Sequence, residues 1–373
     1  MNIGFIGDYS EDAVNGVSTS AYSIACNLLK LGHQVYFYGL GDTTETYVDK
    51  NGIIVKKFTN KFFFSLPHEL KTILYNNLDQ ISIYHLHSVF IPFNYLASKQ
   101  IKSSGKPYMV TPNGGYNVNI LKRNKWLKKF YILSFEDKVI RNADGFSATT
   151  DLEVDEITNM RYSGEIRVIP NPVSEVKRST EPMPTNKCKI LYLGRYDIEH
   201  KGLDYLLHLF KIVEDTVADT ELHLYGAGKD KSKLIKLKEK LALKKLYIYD
   251  PVYGTEKGRV IDSATIYIQP SRWEAFGVSI VEAMQRGVPC ALTESCHLSQ
   301  FLKKNSYGII LCGEPEHDAK VIINALKDKD LLSKYSEIGL QIAKRYFTPA
   351  KVTGQFEDFY KSIVKENNIY EKV

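Results

Sequence analysis

The sequence predicts an α/β chain of two domains, each built on a mostly parallel, doubly wound sheet. Three observations carry this. At 373 residues the chain exceeds the size at which one hydrophobic core usually stops growing. Strand-like apolar runs alternate with helical patterns from the first residues, as repeated strand-helix-strand winding requires. A polar, proline-bearing stretch interrupts the pattern near its middle. Composition agrees, since 44% hydrophobic and 25% charged residues are ordinary for a globular protein, and no apolar run approaches the roughly 18 residues of a membrane span. The five cysteines, Cys26, Cys188, Cys290, Cys296 and Cys312, are scattered and lack the paired spacing of a zinc site, which points to reduced thiols in a cytosol. The N-terminus has no basic leader and reads as a buried strand, so a secretory signal is not expected.

In chain order, the first half reads as a strand Ile3–Ile6, a helix over Val17–Leu31, and strands Val35–Tyr38, Ile81–Leu86 and Tyr108–Thr111. Ligands on such sheets sit at the carboxyl ends of strands, so the loops Gly7–Gly16, His85–Val89 and Thr111–Asn117 should share one rim. Gly16 lets a ligand approach a helix start, but the loop lacks G-x-G-x-x-G, which counts against a dinucleotide cofactor. Alternation puts His85 and His87 on one strand face. Such a pair is either a metal site or a polar plug in the core, and no carboxylate or third histidine lies nearby in sequence to complete a metal site.

Residues 51–141 hold fourteen Lys/Arg against four Asp/Glu, a local +10 in a chain of net +6. Its densest part places Lys122, Arg123, Lys125, Lys128 and Lys129 among Trp126, Leu127, Phe130 and Tyr131. This is the pattern of a helix lying on anionic lipid, and equally of a solvated helix face. A nucleic-acid surface is a third reading, but no RNA- or DNA-binding motif accompanies the charge. Ala143–Ala148 is the next strand, with Asp151 as the expected cap of the helix after it and Glu153 in that helix's first turn. Two prolines around Asn171 make a stiff turn, which divides the chain into domains of residues 1–172 and 173–349.

The second half opens with a strand, Lys189–Leu193, that delivers Arg195, and a short loop that delivers Lys201 ahead of a helix near Leu203. Two fixed cations converging there suit a diphosphate. Strands Glu221–Tyr225 and Tyr247–Tyr249 follow, each with a glycine turn. Ala264–Gln269 breaks at Pro270, and Val278, Val281, Ala283 and Met284 form a helical stripe closed by Gly287 and Pro289. Glu274 therefore lies in a loop and Glu282 in a helix. Gly277 allows close backbone approach, and the helix start adds about half a positive charge, so this turn is a phosphate seat. Carboxylates beside it suit hydroxyls rather than phosphate. Pro289–Leu292 is a further strand. Asp328-Lys-Asp330 is formally D-x-D, yet it falls between two helices rather than after a strand and is set aside as a metal-nucleotide signature. From Pro349 a terminal helix carries Val352, Phe356, Phe359, Tyr360 and Ile363 on one face.

Glu274 and Glu282, standing around Phe276-Gly277, resemble the E-x7-E motif of the family-4 retaining glycosyltransferases of group 1. Gly194-Arg195 with Lys201-Gly202 matches that family's diphosphate clamp, and Ile169-Pro170-Asn171 a segment found where its first domain ends. The resemblance implies the GT-B fold: two Rossmann-like domains facing across a cleft, with the terminal helix, about 350–373, crossing back onto the first. It implies metal-independent transfer with retained configuration from a nucleotide-diphosphate sugar, a UDP-sugar favoured, to a glycan or lipid-linked glycan acceptor. The setting would be surface polysaccharide or glycoconjugate synthesis in the cytoplasm, at the inner face of the membrane if the basic stretch binds lipid. By the same resemblance Glu274 faces the donor sugar and Glu282 grips the ribose. The Phe276, Gly277 and Val278 backbone cradles the diphosphate, held by Arg195 and Lys201. Val252 and Tyr253 flank the base, whose identity they do not reveal. His87 reaches the donor sugar, and Gly16 belongs to the glycine loop. Relatives often carry histidine where Asn113 stands and glutamate where Gln300 falls, which leaves Asn113 an acceptor-side candidate that cannot titrate. No metal, cofactor or catalytic base is implied. The rivals are an epimerase or hydrolase of the same fold, which would consume donor without acceptor, and a non-catalytic glycan-binding partner, which would lack the acidic or cationic positions.

Overall fold

The computed structural model describes residues 1–7, 16–60, 62, 64–174 and 187–370, with side chains through residue 367. The chain divides into two compact units, Met1–Ser174 with Pro349–Val373, and Glu175–Thr348.

The sheet of the first unit contains β1 (Asn2–Ile6), β2 (Gln34–Leu40), β3 (Glu45–Val48), β4 (Ile54–Phe58), β5 (Ile83–His87), β6 (Tyr108–Thr111), β7 (Gly145–Ala148) and β8 (Ile166–Val168). Its order is β3-β4-β2-β1-β5-β6-β7-β8, and only the β3–β4 pair is antiparallel. β1, β5, β6 and β7 read as near-continuous apolar runs because both faces are covered. β3 escapes sequence reading for the opposite reason: it is an exposed edge strand without alternating burial. The direction of winding reverses between β1 and β5, so the carboxyl ends of these two strands open a crevice.

Helix Pro349–Tyr370 belongs to this unit. Its Val352, Phe356, Phe359, Tyr360 and Ile363 are buried with Ala21, Ile24 and Leu28 of helix Gly16–Lys30. Gly145 is needed beneath it, since a Cβ there would collide with Phe359 and Ile363. His85 is the polar plug: Nδ1 meets the Tyr360 hydroxyl at 2.7 Å and Nε2 the Thr111 hydroxyl at 2.6 Å.

Two expectations for this unit need correction. Asp151 does not cap its helix; the helix is Asp151–Asn159, with extended Thr150 as the flanking residue. Glu153 does stand in the first turn, where it is fully buried and accepts from the Thr149 N–H and hydroxyl and from the Gly114 N–H. The basic stretch is also not one helix. Asn124 adopts a left-handed conformation and separates Val118–Lys122 from Lys125–Tyr131.

The second sheet contains β9 (Cys188–Leu193), β10 (Thr220–Tyr225), β11 (Leu246–Tyr249), β12 (Ile266–Gln269), β13 (Cys290–Thr293) and β14 (Ile309–Leu311), all parallel, in the order β11-β10-β9-β12-β13-β14. Winding reverses between β9 and β12. The core packs helices Leu203–Thr216 and Pro315–Lys327 on this sheet through Leu206, Leu209, Phe210, Ile322 and Leu326. Asp328 caps helix Lys329–Tyr346 by accepting from the Leu331 N–H, which accounts for the D-x-D sequence.

Candidate functional site

In the second unit the reversal between β9 and β12 sets two loops side by side. The strand end of β9 runs into Arg195 and the short helix Ile198–Lys201, whose first turn Asp197 caps through the His200 N–H. That helix stops at Gly202 in a left-handed conformation, where a Cβ would collide with the Pro270 carbonyl oxygen. Glycine thus lets the Lys201 turn press against the loop that follows β12. As a result Lys201 Nζ donates to Glu274 Oε2, with both side chains largely buried. Gln269 Nε2 donates to the same oxygen at 3.2 Å, and the Glu274 backbone is pinned by the His297 N–H at 2.9 Å. Burial alone would raise the Glu274 carboxyl, but the Lys201 charge and hydrogen bond, with help from Arg195, more than offset it and hold Glu274 below the usual carboxylate value.

Arg195 is exposed at the rim, its backbone carbonyl held by the Tyr192 hydroxyl. Between the cations lies His200, a residue the sequence reading passed over. Its ring stacks on Trp273 at 4.5 Å, Nε2 donates to the Trp273 carbonyl at 2.9 Å, and Nδ1 therefore faces the Arg195 guanidinium at 3.4 Å as an acceptor. Burial first, then the Lys201 charge, pushes His200 down to about 4, so it is neutral at pH 7 and adds no third positive charge.

Helix Val278–Gln285 begins at Gly277, also left-handed, and no side chain caps it. A Cβ on Gly277 would strike Ile280 and crowd Glu274. Phe276 points inward against Phe347, so its aromatic side chain is turned away from the surface of the 276–278 turn. Glu282, on this helix, pairs with Lys257 at 2.7 Å. Lys257 lies on helix Gly254–Asp262, directly after the Val252–Tyr253 loop, whose Tyr253 ring is exposed. The two glutamates are therefore each held by a lysine, and Lys257 had no signal in the sequence because its partner lies across a helix-helix contact. Gln300 sits exposed on helix Leu298–Lys304.

In the first unit the crevice between β1 and β5 holds a cavity of about 130 Å³ lined by Gly7, Ser18, His87, Ser88, Phe93 and Asn94 among others. Of the expected glycine loop, residues 8–15 lie outside the described residues; Gly16 opens its helix, exposed. His87 stacks on Phe5, and burial lowers it to about 3, so it is neutral. Among the described residues its Nε2 and the Asn94 Oδ1 are buried without a hydrogen-bond partner, which is costly unless another group supplies one. Asn94 also donates to the His87 and Ser88 carbonyls, fixing the strand end. Asn113 is left-handed, and its Nδ2 turns back to the Thr111 carbonyl at 3.1 Å. The 111–117 loop around it is tied by three acids: Glu136 to the Tyr116 hydroxyl, Glu153 to the Gly114 N–H and Glu156 to the Asn117 amide. Burial raises all three, Glu156 to about 7.

The basic stretch exposes Lys122, Arg123, Lys125 and Lys129, together with Trp126 (82%), Leu127 (67%), Phe130 (63%) and Leu133 (69%). These exposures matter because large apolar side chains are seldom left so open without a partner. Lys128 departs from the group: it turns inward to the Ile120 carbonyl and over the Phe90 ring. No helix among the described residues is long and apolar enough to cross a membrane.

Comparison with known proteins places both halves. Residues 14–176 match the family described as Glycosyltransferase Family 4, and residues 173–341 the family described as Glycosyl transferases group 1. An uncharacterised 41.2 kDa protein of the cps region of Klebsiella pneumoniae is 27% identical over 79% of this chain and 81% of its own. Phosphatidyl-myo-inositol mannosyltransferase of Mycobacterium leprae is 26% identical over 48% of this chain and 49% of its own. The solved structure of Anabaena HepE in complex with UDP and glucose superposes with a TM-score of 0.76 at 16% identity, covering 97% of this chain and all of that one.

Proposed function

Because this chain belongs to the family-4 glycosyltransferases of group 1, with the GT-B fold, we propose that it transfers a sugar from a nucleotide diphosphate, UDP by preference, to a glycan or lipid-linked glycan acceptor, retaining the anomeric configuration and using no metal. One observation carries this reading: at the switch point of the second unit, both glutamates of the E-x7-E pattern are already countered by lysines beside an uncapped helix start. A diphosphate arriving there takes Lys201, Arg195 and the helix N–H groups as its countercharge, which removes the need for a divalent ion. Glu274, kept ionised, orients sugar hydroxyls, and Glu282 accepts from the ribose diol. These groups act by positioning the donor and stabilising the leaving diphosphate. The neutral His87 and the Asn94 amide oxygen offer sugar hydroxyls a donor or an acceptor without a charge. The UDP preference draws support from the UDP bound by the Anabaena relative, and a lipid-linked acceptor from the name of the mycobacterial one.

An acceptor displayed on an anionic membrane fits the exposed Trp126, Leu127, Phe130 and Leu133 with Lys122, Arg123, Lys125 and Lys129 around them. Each basic residue near such a surface is worth roughly 1 kcal/mol and is screened by salt. Calorimetry against UDP-, GDP- and ADP-sugars tests the donor, and NMR of the product reads its anomeric configuration. Inverted product, or turnover restored to chelator-treated enzyme only by Mg²⁺ or Mn²⁺, would overturn the mechanism. Donor consumed at the same rate with and without acceptor would instead mark a hydrolase or epimerase.

A further inference from the structure

We propose that Cys312, His317 and Asp318 form a binding site for a zinc-class divalent ion. They stand where the loop after β14 enters helix Pro315–Lys327, on the far edge of the second sheet from the nucleobase loop. Cys312 Sγ lies 3.4 Å from His317 Nδ1 and 3.3 Å from Asp318 Oδ1, and His317 Nδ1 lies 3.0 Å from the same carboxylate oxygen. Tetrahedral zinc, with sulfur at about 2.3 Å and nitrogen or oxygen at about 2.1 Å, sets its ligand atoms roughly 3.4–3.6 Å apart. The three atoms need move only a few tenths of an ångström to receive it.

The supporting frame is already built. Asp318 is fully buried, and its Oδ2 accepts from the Tyr205 hydroxyl at 2.6 Å and the Gly313 N–H at 2.7 Å, while the Cys312 N–H reaches Oδ1 at 3.0 Å. These bonds consume one oxygen and aim the other at the thiol and the imidazole, as bonds behind a metal ligand do. No lysine or arginine pairs with Asp318 among the described residues, although Glu314 and Glu316 stand on either side of its turn and deepen the negative potential. The thiol and the ring are exposed, so an ion has an entry path and water can complete the coordination. One thiolate, one imidazole and one carboxylate suit a borderline ion such as zinc, not Mg²⁺ or Ca²⁺. Sequence spacing concealed the set, because the thiol comes from a loop and the other two ligands from a helix turn.

The bound ion would clamp the end of β14 to helix Pro315–Lys327 and, through Tyr205, to helix Leu203–Thr216, which starts next to Lys201. It would be structural, apart from sugar transfer. The test uses the full chain, stripped with chelator and titrated with Zn²⁺ by calorimetry, then with Co²⁺ by absorption spectroscopy. One ion per chain is expected, with a thiolate-to-cobalt charge-transfer band and a melting temperature that rises on metal addition. Cys312→Ser should abolish the band, and both it and His317→Ala should weaken Zn²⁺ binding by more than the roughly 10–100-fold loss of a supporting residue. Both positions are exposed, so the variants should fold, which nucleotide binding checks, and Cys312→Ser should keep its turnover. Failure of the wild type to bind Zn²⁺, or binding that Cys312→Ser leaves as tight, overturns the site.

Discussion

The strand-end rims of the two units treat their carboxyl groups in opposite ways. In the second unit Glu274 is paired with Lys201 and kept ionised despite its burial, and Glu282 is paired with Lys257. In the first, Glu136, Glu153 and Glu156 hold the 111–117 loop through a hydroxyl, a backbone N–H and an amide, and burial pushes all of them toward the neutral form. The histidines follow suit, since His87 is neutral through burial alone whereas His200 is neutral partly because cations crowd it. The lesson is that similar sheet topologies make different rims by choosing what stands opposite an acid. A cation makes a site that exchanges partners with an anionic ligand. A hydroxyl or amide makes a stiff neutral frame suited to hydroxyl-bearing ligands.

The largest expected effect comes from breaking the charged rim. Lys201→Ala strands a buried Glu274 carboxylate and should lower kcat by about 10²–10³-fold, or about 2.7–4 kcal/mol of transition-state stabilisation. It should also destabilise the fold, and Lys201→Ala with Glu274→Ala together should recover stability but not activity. A double variant as unstable as the single one would deny the pairing its role. Next in size, Glu282→Ala should weaken free-nucleotide binding by roughly 1.5–3 kcal/mol, as for a hydrogen bond to a charged group, while Glu274→Ala mainly lowers turnover. Equal calorimetric losses in the two would erase that division of labour.

On the neutral rim the effects are smaller. His87→Ala removes one uncharged hydrogen bond and should reduce kcat/KM by roughly 1 kcal/mol, about fivefold, with little dependence on salt. A large, salt-sensitive loss would mean that His87 works as a charge. The pH responses sharpen the contrast further. Glu274 has a depressed value, so its contribution to stability is full above the usual 4.5 and fades as pH falls through the depressed value. Glu156 is raised to about 7, so the stability of its neutral form is full below 4.5 and is lost as pH rises through about 7. Urea midpoints measured across pH should therefore show Glu156→Gln gaining on the wild type as pH rises from about 4.5 to about 7 and keeping that gain above it. Parallel curves would show that Glu156 is not held neutral.

Much of the fold was legible because burial on both faces leaves an apolar run that any reader of periodicity finds. β6 has the predicted limits, and β1, β5 and β12 differ only at their ends. β3 was missed because its exposed edge demands no pattern. The single basic helix was misread because the charge pattern runs on through Asn124, where the backbone turns left-handed. Residues with a local signature were visible in the candidate site: glutamates around Phe-Gly, an arginine after a strand, a lysine before a glycine.

The sequence by itself determined the alternation of strands and helices, the chemical types gathered at each loop, and the glycines at 202 and 277, since these follow from local periodicity and backbone freedom. Only the tertiary structure decided which charges meet. Lys201 finds Glu274, Lys257 finds Glu282, Asp318 finds Tyr205, and Lys128 turns inward while its neighbours stay in solvent. Those choices depend on the order of strands in the sheet and on burial. A charge is worth little in water and much in a low-dielectric interior, so its role is settled by the depth and the partner it is given rather than by its place in the chain.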